Sequence, residues 1–241
     1  MAVFLIFAAA PAASAYDLEL GVVGGATQNP YKGASPSWMA LPYVAFDSEY
    51  AFLSFPSAGI HLVDNELVTL NAVVSYLSLE FKRSDTDDAI LKTLDERKFS
   101  LGAGLEAALN TGLGTFKLSV LADVLGRSDG LYASADYSYP FMLTDTFAII
   151  PNAGVTWTNN KHNDYYFGIS PAESARSGLR AYNAGSSFTP LAGLSAVYQA
   201  NEHIRLAAGT ECAFLPSEAK NSPMVSKKRL WGGFVLAVYA F

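Results

Sequence analysis

Hydrophobic and polar residues alternate strictly along much of the chain. In segment 99–109 the odd positions hold Phe, Leu or Ala, and the even positions hold Ser, Gly, Glu or Ala. A period of two places alternate side chains on opposite faces of a β-strand, whereas a helix repeats about every 3.6 residues. The pattern returns in 116–124, 131–141, 147–157 and 204–214. It predicts a chain built from amphipathic β-strands.

The length of these segments and the scarcity of charge favour a membrane location. Segments of about ten to fourteen residues suit tilted strands that cross a bilayer. Apolar residues make up 51% of the chain and charged residues only 16%. After residue 15 the chain has no apolar run long enough for a membrane-spanning helix, and without one only a closed barrel satisfies the backbone in hydrocarbon. We therefore expect an all-β transmembrane barrel; the alternative, a soluble β-sandwich, would not need so many long strands.

Aromatic residues stand near the ends of the apolar faces, as expected where rings settle at the two membrane interfaces. They are Phe99, Phe116, Tyr139, Phe147, Trp157, Phe188, Tyr198, Phe214, Trp231 and Tyr239.

Short and long connections alternate, which is typical of barrels with short periplasmic turns and long external loops. Tight turns are predicted near 110–112, 143–145 and 200–202, and long loops at 25–36, 82–97, 159–186 and 215–227. The predicted strands are 16–24, 37–46, 49–55, 58–64, 66–81, 98–109, 114–126, 130–141, 145–158, 187–199, 203–214 and 228–241. This closed antiparallel barrel has twelve strands; ten is the fallback if the short segments around Pro56 form one bulged strand.

The two ends of the sequence carry features of an exported protein. Residues 1–15 read as a signal peptide with a cleavage site at Ala13-Ser14-Ala15, although a basic n-region is absent. An ordinary buried strand is the alternative. Residues 16–241 would then form a single barrel domain. The final Phe241, with Tyr239 two residues before it, resembles the C-terminal signal that the barrel-assembly machinery reads during insertion.

Composition and motifs exclude several function classes. A net charge of −6 argues against nucleic acid as a partner, because binding phosphates needs a surplus of Lys and Arg. Cys212 is the single cysteine, so no internal disulfide can form. The histidines His61, His162 and His203 form neither an HExxH nor a similar motif, and GxSxG is absent. We expect no metal, no cofactor and no enzymatic activity. A lipid-modifying enzyme that pairs Ser or Thr with His61 or His203 remains the catalytic alternative.

The alternation places six charged residues on the face that points into the barrel. Buried charges need partners, so these residues indicate either a polar pore or a closed, salt-bridged interior. We favour the closed interior because side chains fill much of a barrel of this size. The six residues are Glu106, Lys117, Asp123, Asp136, Arg205 and Glu211.

Two further stretches are rich in charge. Segment 82–98 carries many charges of both signs, which is typical of a solvated external loop. Lys227, Lys228 and Arg229 precede Trp231 at the predicted outer rim. They could contact lipopolysaccharide phosphates, or they could simply avoid the hydrocarbon.

Residues 165–182 read YYFGISPAESARSGLRAY and follow a strand that contains Pro151, Gly154 and Trp157. This stretch resembles the signature of the MipA/OmpV family of outer-membrane proteins. The matching residues of the loop are Tyr165, Tyr166, Gly168, Ser170, Glu173, Ser174, Ser177, Gly178, Leu179 and Tyr182.

The resemblance implies a location in the outer membrane of a Gram-negative bacterium and a family without catalytic residues. It also implies a scaffold role, in which a lytic transglycosylase and a penicillin-binding protein meet on the barrel. Other members resemble adhesins or porin-like proteins, so a narrow channel or ligand-binding barrel is the alternative function. The signature loop would either plug the barrel or contact a partner, and a lumen blocked by this loop would favour the scaffold.

Overall fold

The computed structural model describes residues 16–77 and 79–241. Each strand pairs antiparallel with its neighbours, and the last strand pairs with the first, with Leu20 opposite Tyr239. Two consecutive segments, β8 and β9, pair with the same strand, β10, and together form one barrel strand. The fold is therefore a closed antiparallel barrel of twelve strands, as predicted, and the fallback of ten is wrong.

The strand segments are β1 (Tyr16–Thr27), β2 (Ser37–Ser48), β3 (Ala51–Ser54), β4 (Ser57–Asp64), β5 (Val68–Leu77), β6 (Ser100–Thr111), β7 (Gly114–Asp123), β8 (Leu131–Ser138), β9 (Phe141–Thr144), β10 (Phe147–Thr158), β11 (Ser187–Gln199), β12 (Ile204–Phe214) and β13 (Arg229–Ala240). The helices are α1 (Asn160–Phe167), α2 (Pro171–Ser177) and α3 (Ser217–Lys220). In the described part of the chain, no helix has the length and apolarity needed to cross a membrane. The predicted signal segment 1–15 lies outside the described residues.

The connections divide between two ends of the barrel. At one end, called the turn end, the chain reverses within 49–50, 65–67, 112–113, 145–146 and 200–203. The opposite end, called the loop end, carries loops L1 (28–36), L2 (79–99), L3 (124–130), L4 (159–186) and L5 (215–228). The predicted orientation, with short periplasmic turns and long external loops, would place the loop end at the cell exterior.

Two strands are shorter or less regular than the alternation predicts. The predicted strand 130–141 breaks after Ser138, because Pro140 has no backbone N–H to donate to the sheet. The hairpin of β3 and β4 turns at Phe55-Pro56 and is short. As a result, β2 pairs with β3 over only three residues, Ala45 to Asp47.

The two faces of the wall differ as the alternation predicts. Val22, Leu118 and Val235 point outward and are about 60% exposed (62%, 58% and 62%), as expected for side chains that face lipid. Neighbouring residues in sequence, such as Val23 and Phe234, point inward and are buried. The interior side chains of β12, β13, β1 and β2 form an apolar cluster that contains Val23, Tyr43, Ala207, Phe234, Leu236 and Val238.

Candidate functional site

Four of the loops share one hydrophobic core at the loop end of the barrel. We call L1, L2, L4 and L5 together the lid. Loops usually lie on the surface, since their backbone polar groups are hard to satisfy when buried. Here the lid buries large side chains from all four loops almost completely, including Tyr31, Phe81, Leu91, Leu94, Tyr166, Ile169 and Met224.

Hydrogen bonds between different loops fix the arrangement of the lid. The Tyr31 hydroxyl in L1 donates to the Tyr166 carbonyl of L4 at 3.0 Å. The Ser222 hydroxyl in L5 donates to the Phe167 carbonyl at 2.6 Å. The edge of the Tyr31 ring meets the Phe81 ring of L2 at 4.9 Å between centroids. Each loop is thus bound to at least one other loop, so the lid behaves as one packed unit.

A buried ion pair lies inside the lid. Arg97 of L2 donates through Nη2 to both carboxylate oxygens of Glu173 in L4, at 2.8 and 3.1 Å. Their side chains are only 8% and 3% exposed. Burial alone would raise the pKa of Glu173, but hydrogen bonds from the Ser170 and Asp95 backbones, together with Arg97, lower the pKa below its ordinary value. Glu173 is therefore held as a carboxylate.

The signature motif of residues 170–178 is a helix with both ends capped. The Ser170 hydroxyl accepts from the Glu173 backbone N–H, while the Glu173 carboxylate accepts from the Ser170 N–H, which is a capping box. Pro171 occupies the first turn, where its missing N–H costs nothing. Gly178 ends the helix at a φ of 74°, a left-handed conformation that suits glycine.

The other signature residues also bond within the lid. Tyr165 accepts from the Lys98 backbone N–H at 3.0 Å, and Tyr166 donates to the Lys98 carbonyl at 2.9 Å. The Ser174 hydroxyl donates to the Leu179 carbonyl at 2.6 Å, and the Tyr182 hydroxyl donates to the backbone carbonyl of Glu218 in L5 at 2.9 Å. The remaining two residues take part as well, because Gly168 accepts from Arg97 and Ser177 accepts from Leu179.

His162, in α1, is a lid residue whose importance the sequence did not indicate. Its ring lies between those of Tyr132 and Tyr166, at 4.4 and 4.7 Å between centroids, and its Nδ1 is 2.6 Å from the Tyr132 hydroxyl. Burial lowers the pKa of His162 to about 3, so the ring is neutral at ordinary pH. The neighbouring Asn163 donates to the Gly185 carbonyl and to Ser187, which joins α1 to the start of β11.

Segment 82–98 is not simply a solvated loop, and that prediction needs correction. Most of its charged side chains are exposed, but Arg97 is buried against Glu173, and the apolar Leu91 and Leu94 are buried in the lid core. The density of charge alone predicts a solvated loop. It does not reveal the buried partner of Arg97, because Glu173 lies in a different loop, 76 residues away in sequence.

The six predicted interior charges lie on the inward face, but they do not form one site. Lys117 and Glu106 form an ion pair at 2.8 Å, and Arg205 pairs with Glu19 of β1 at 2.5 Å. Asn152 donates to Glu211 at 3.5 Å. Asp136 accepts from Ser134 at 2.8 Å. Asp123 lies where β7 ends, and its carboxylate accepts from the backbone of L3, including Leu125 and Ser128.

The remaining candidate residues are placed as follows. His61 contacts Asn71 at 2.8 Å and Asp47 at 3.1 Å, and His203 contacts the Ala240 carbonyl at 3.0 Å. Neither contact involves the Ser or Thr hydroxyl that the lipid-modifying alternative requires. Among the described residues, no group of His, Cys, Asp and Glu has the arrangement of a metal site. Lys227, Lys228 and Arg229 are exposed where L5 meets β13.

The wall and the lid together define the class of protein. A closed twelve-strand wall with lipid-facing apolar residues and a lid of packed loops is an outer-membrane β-barrel. A family model described as MltA-interacting protein MipA matches residues 20–241. The chain belongs to this MipA/OmpV family of outer-membrane proteins, as the signature residues predicted.

Individual relatives agree with the family and the location. The chain is 32% identical to the outer membrane protein named YiaT of Escherichia coli (strain K12), over 89% of this chain and 87% of the relative. It is 30% identical to the MltA-interacting protein of the same strain, over 90% and 86% of the two chains. A solved outer-membrane channel from Pseudomonas putida F1 has the same fold, with a TM-score of 0.51, 9% identity and 97% of each chain covered.

Proposed function

We propose that this protein is a capped, non-catalytic barrel that recruits peptidoglycan-remodelling enzymes to the inner surface of the outer membrane. The observation that carries the proposal is the lid: four loops share one core around the buried Arg97–Glu173 pair. An open pore needs external loops that leave the mouth clear, whereas a scaffold needs only a stable anchor. The relative named MltA-interacting protein supports a lytic transglycosylase as a partner, and a penicillin-binding protein would be the second.

In this proposal the signature loop is part of the lid and does not bind a partner. Its ten matching residues make their hydrogen bonds with L1, L2 or L5 or within L4, and Tyr166 and Glu173 are buried. The partner would instead meet the turn end, which in the predicted orientation would face the periplasm, where peptidoglycan lies. Lys227, Lys228 and Arg229, exposed at the outer rim, would contact lipopolysaccharide phosphates.

The first test separates a capped barrel from a pore. The refolded protein is placed in a planar bilayer beside a variant that lacks residues 165–182. We expect no stepwise current from the intact protein and measurable conductance from the deletion variant. Stepwise currents from the intact protein would show a porin-like channel and overturn the proposal.

The second test addresses the partner. The protein is immobilised in lipid nanodiscs, and a purified lytic transglycosylase of the same bacterium is passed over it. Saturable binding that empty nanodiscs do not show is the expected result. Binding that is no stronger than to empty nanodiscs would contradict the scaffold role, whatever the conductance measurement gives.

A further inference from the structure

The positive charges of the chain are concentrated at one end of the barrel. Of the 16 Lys and Arg residues, all but Lys117 and Arg205 lie in the loops of the loop end or at the first position of β13. Lys117 and Arg205 point into the barrel and form ion pairs with Glu106 at 2.8 Å and with Glu19 at 2.5 Å. In the described part of the chain, the turn end therefore presents no unpaired Lys or Arg side chain.

The turn end exposes carboxylates instead. Four of its five turns carry an exposed acidic residue on the turn or directly beside it, and none of these residues forms an ion pair with another described residue. They are Glu49, Asp64, Glu66, Asp145 and Glu202. Charge of either sign keeps a surface soluble, and L2 uses both signs. Solvation alone therefore does not account for a turn end that is acidic throughout.

Exposed apolar side chains lie among these carboxylates. Tyr50, Leu67 and Leu113 are each more than half exposed on three successive turns. Tyr50 follows Glu49 directly, and Leu67 follows Glu66. Apolar side chains with polar residues around them are the usual composition of a protein–protein interface. The turn end thus has the composition of a docking surface.

The two kinds of residue would act on different steps of binding. Exposed charges of one sign attract an oppositely charged partner over a distance and raise the association rate constant by about 10- to 1,000-fold. Apolar contacts act only after the surfaces meet, so they mainly slow dissociation. The same carboxylates repel a partner whose docking face is acidic. The sign of the charge therefore selects the partner.

We propose that the turn end binds a protein whose docking face is basic around an apolar centre, and that its carboxylates speed the encounter. The proposal rests on the scaffold role, in which a lytic transglycosylase is the partner. It adds the chemistry of the partner's docking face and a kinetic role for Glu49, Glu66, Asp145 and Glu202.

The test measures association and dissociation rate constants separately. The complete protein is placed in nanodiscs of zwitterionic lipid, so that the lipid contributes no net charge, and the purified lytic transglycosylase of the same bacterium is passed over it. Salt is raised from about 0.1 M to about 1 M, which shortens the screening length from about 10 Å to about 3 Å. We expect the association rate constant to fall about tenfold, while the dissociation rate constant changes little.

A fourfold variant tests the carboxylates themselves. E49Q/E66Q/D145N/E202Q neutralises four exposed side chains of the turn end and keeps their shapes, so the barrel should fold unchanged. At about 0.1 M salt we expect it to associate about fivefold more slowly than the unchanged protein. At about 1 M salt the two proteins should associate at the same rate, because the charges are then screened.

The matched control is D85N/D87N/E96Q/D129N. It removes the same number of exposed carboxylates from the loop end, so the two variants have the same net charge. Its association rate constant should equal that of the unchanged protein.

Each other result overturns the proposal in a recognisable way. An association rate constant that depends neither on salt nor on the turn-end carboxylates would rule out the basic docking face and leave the transglycosylase as a partner. Equal slowing in the two fourfold variants would show that total charge matters and the turn end does not. If the intact protein binds no transglycosylase, both this proposal and the scaffold role are wrong.

Discussion

Arg97 and Glu173 form a two-point ion pair in the interior of the lid, with Nη2 of Arg97 at 2.8 and 3.1 Å from the two carboxylate oxygens. They belong to L2 and L4, whose chains leave the wall at different strands. Glu173 also caps α2, and Arg97 also donates to the Gly168 and Asp95 carbonyls. One ion pair thus joins a helix cap to a neighbouring loop.

The first prediction is that Arg97→Ala opens the lid while the barrel stays folded. Removing one partner of a buried pair leaves an uncompensated charge and typically costs about 3–5 kcal/mol. The wall does not depend on this pair. We expect L2 and L4 to become sensitive to limited proteolysis, with unchanged strand content by circular dichroism.

The matched control is Lys82→Ala, in the same loop. Lys82 pairs with Glu80 at 2.7 Å, but its side chain is half exposed (52%), and such pairs contribute little. Equal protease sensitivity in the two variants would show that the buried pair does not hold the lid.

The second prediction concerns the caps of α2. Ser170→Ala removes the N-cap acceptor and should cost about 1 kcal/mol. Gly178→Ala forces a side chain into a left-handed conformation and should also cost about 1 kcal/mol. No atom would crowd the added methyl group, so the backbone conformation alone sets this cost.

Gly178→Asn tests whether backbone conformation sets the cost, because asparagine tolerates the left-handed region better than alanine does. The readout is the rate at which protease cleaves L4 at low denaturant. If Gly178→Asn is cleaved faster than Gly178→Ala, the explanation by backbone conformation is wrong.

The sequence predicted the wall well because lipid imposes a strict period of two on every strand. Even the short segments around Pro56 were placed within two residues of β3 and β4. The break at Pro140 could have been anticipated from its missing N–H. The short pairing of β2 with β3 could not, because alternation does not encode how far one strand extends along its neighbour.

The lid was harder to predict, since loops have no periodicity. Tyr31, Leu94 and Met224 look like isolated apolar residues in polar stretches, and only the structure shows that they meet in one core. One signal was present: Ser170, Pro171, Glu173 and Gly178 are the residues of a capped helix. Read for its chemistry and not only as a family signature, the motif indicates a folded loop.

The third prediction is that acid weakens the lid. Burial lowers the pKa of His162 from 6.5 to about 3. As pH falls below 6.5, the opened loop binds a proton that the closed loop does not, so the free energy of opening decreases down to about pH 3. Glu173 adds to this loss below its ordinary value of 4.5, because its pKa is lowered in the closed lid.

The measurement is protease sensitivity of L4 from pH 7 to pH 4, with an acid-tolerant protease. In His162→Gln the free energy of opening should no longer decrease between pH 6.5 and 4.5. Only the decrease below pH 4.5 that comes from Glu173 should remain. His203→Gln, at the turn end, is the control and should behave like the unchanged protein. A pH profile that is the same in all three proteins would exclude His162 as the acid-sensitive group.

The fourth prediction places the partner on the turn end. Tyr50, Leu67 and Leu113 lie on three successive turns there and are 71%, 54% and 76% exposed. Exposed aromatic and aliphatic residues at the centre of an interface often contribute more than 1 kcal/mol each. Tyr50→Ser and Leu113→Ser should therefore each weaken binding of the lytic transglycosylase by about tenfold. The readout is the dissociation constant of the transglycosylase on nanodiscs that carry the protein.

The control is Ile90→Ser. Ile90 is an exposed apolar residue of L2 at the opposite end, so this variant should leave the dissociation constant unchanged. If Ile90→Ser weakened binding while the turn-end variants did not, the partner would dock on the lid, and the lid would have to be accessible from the partner's compartment.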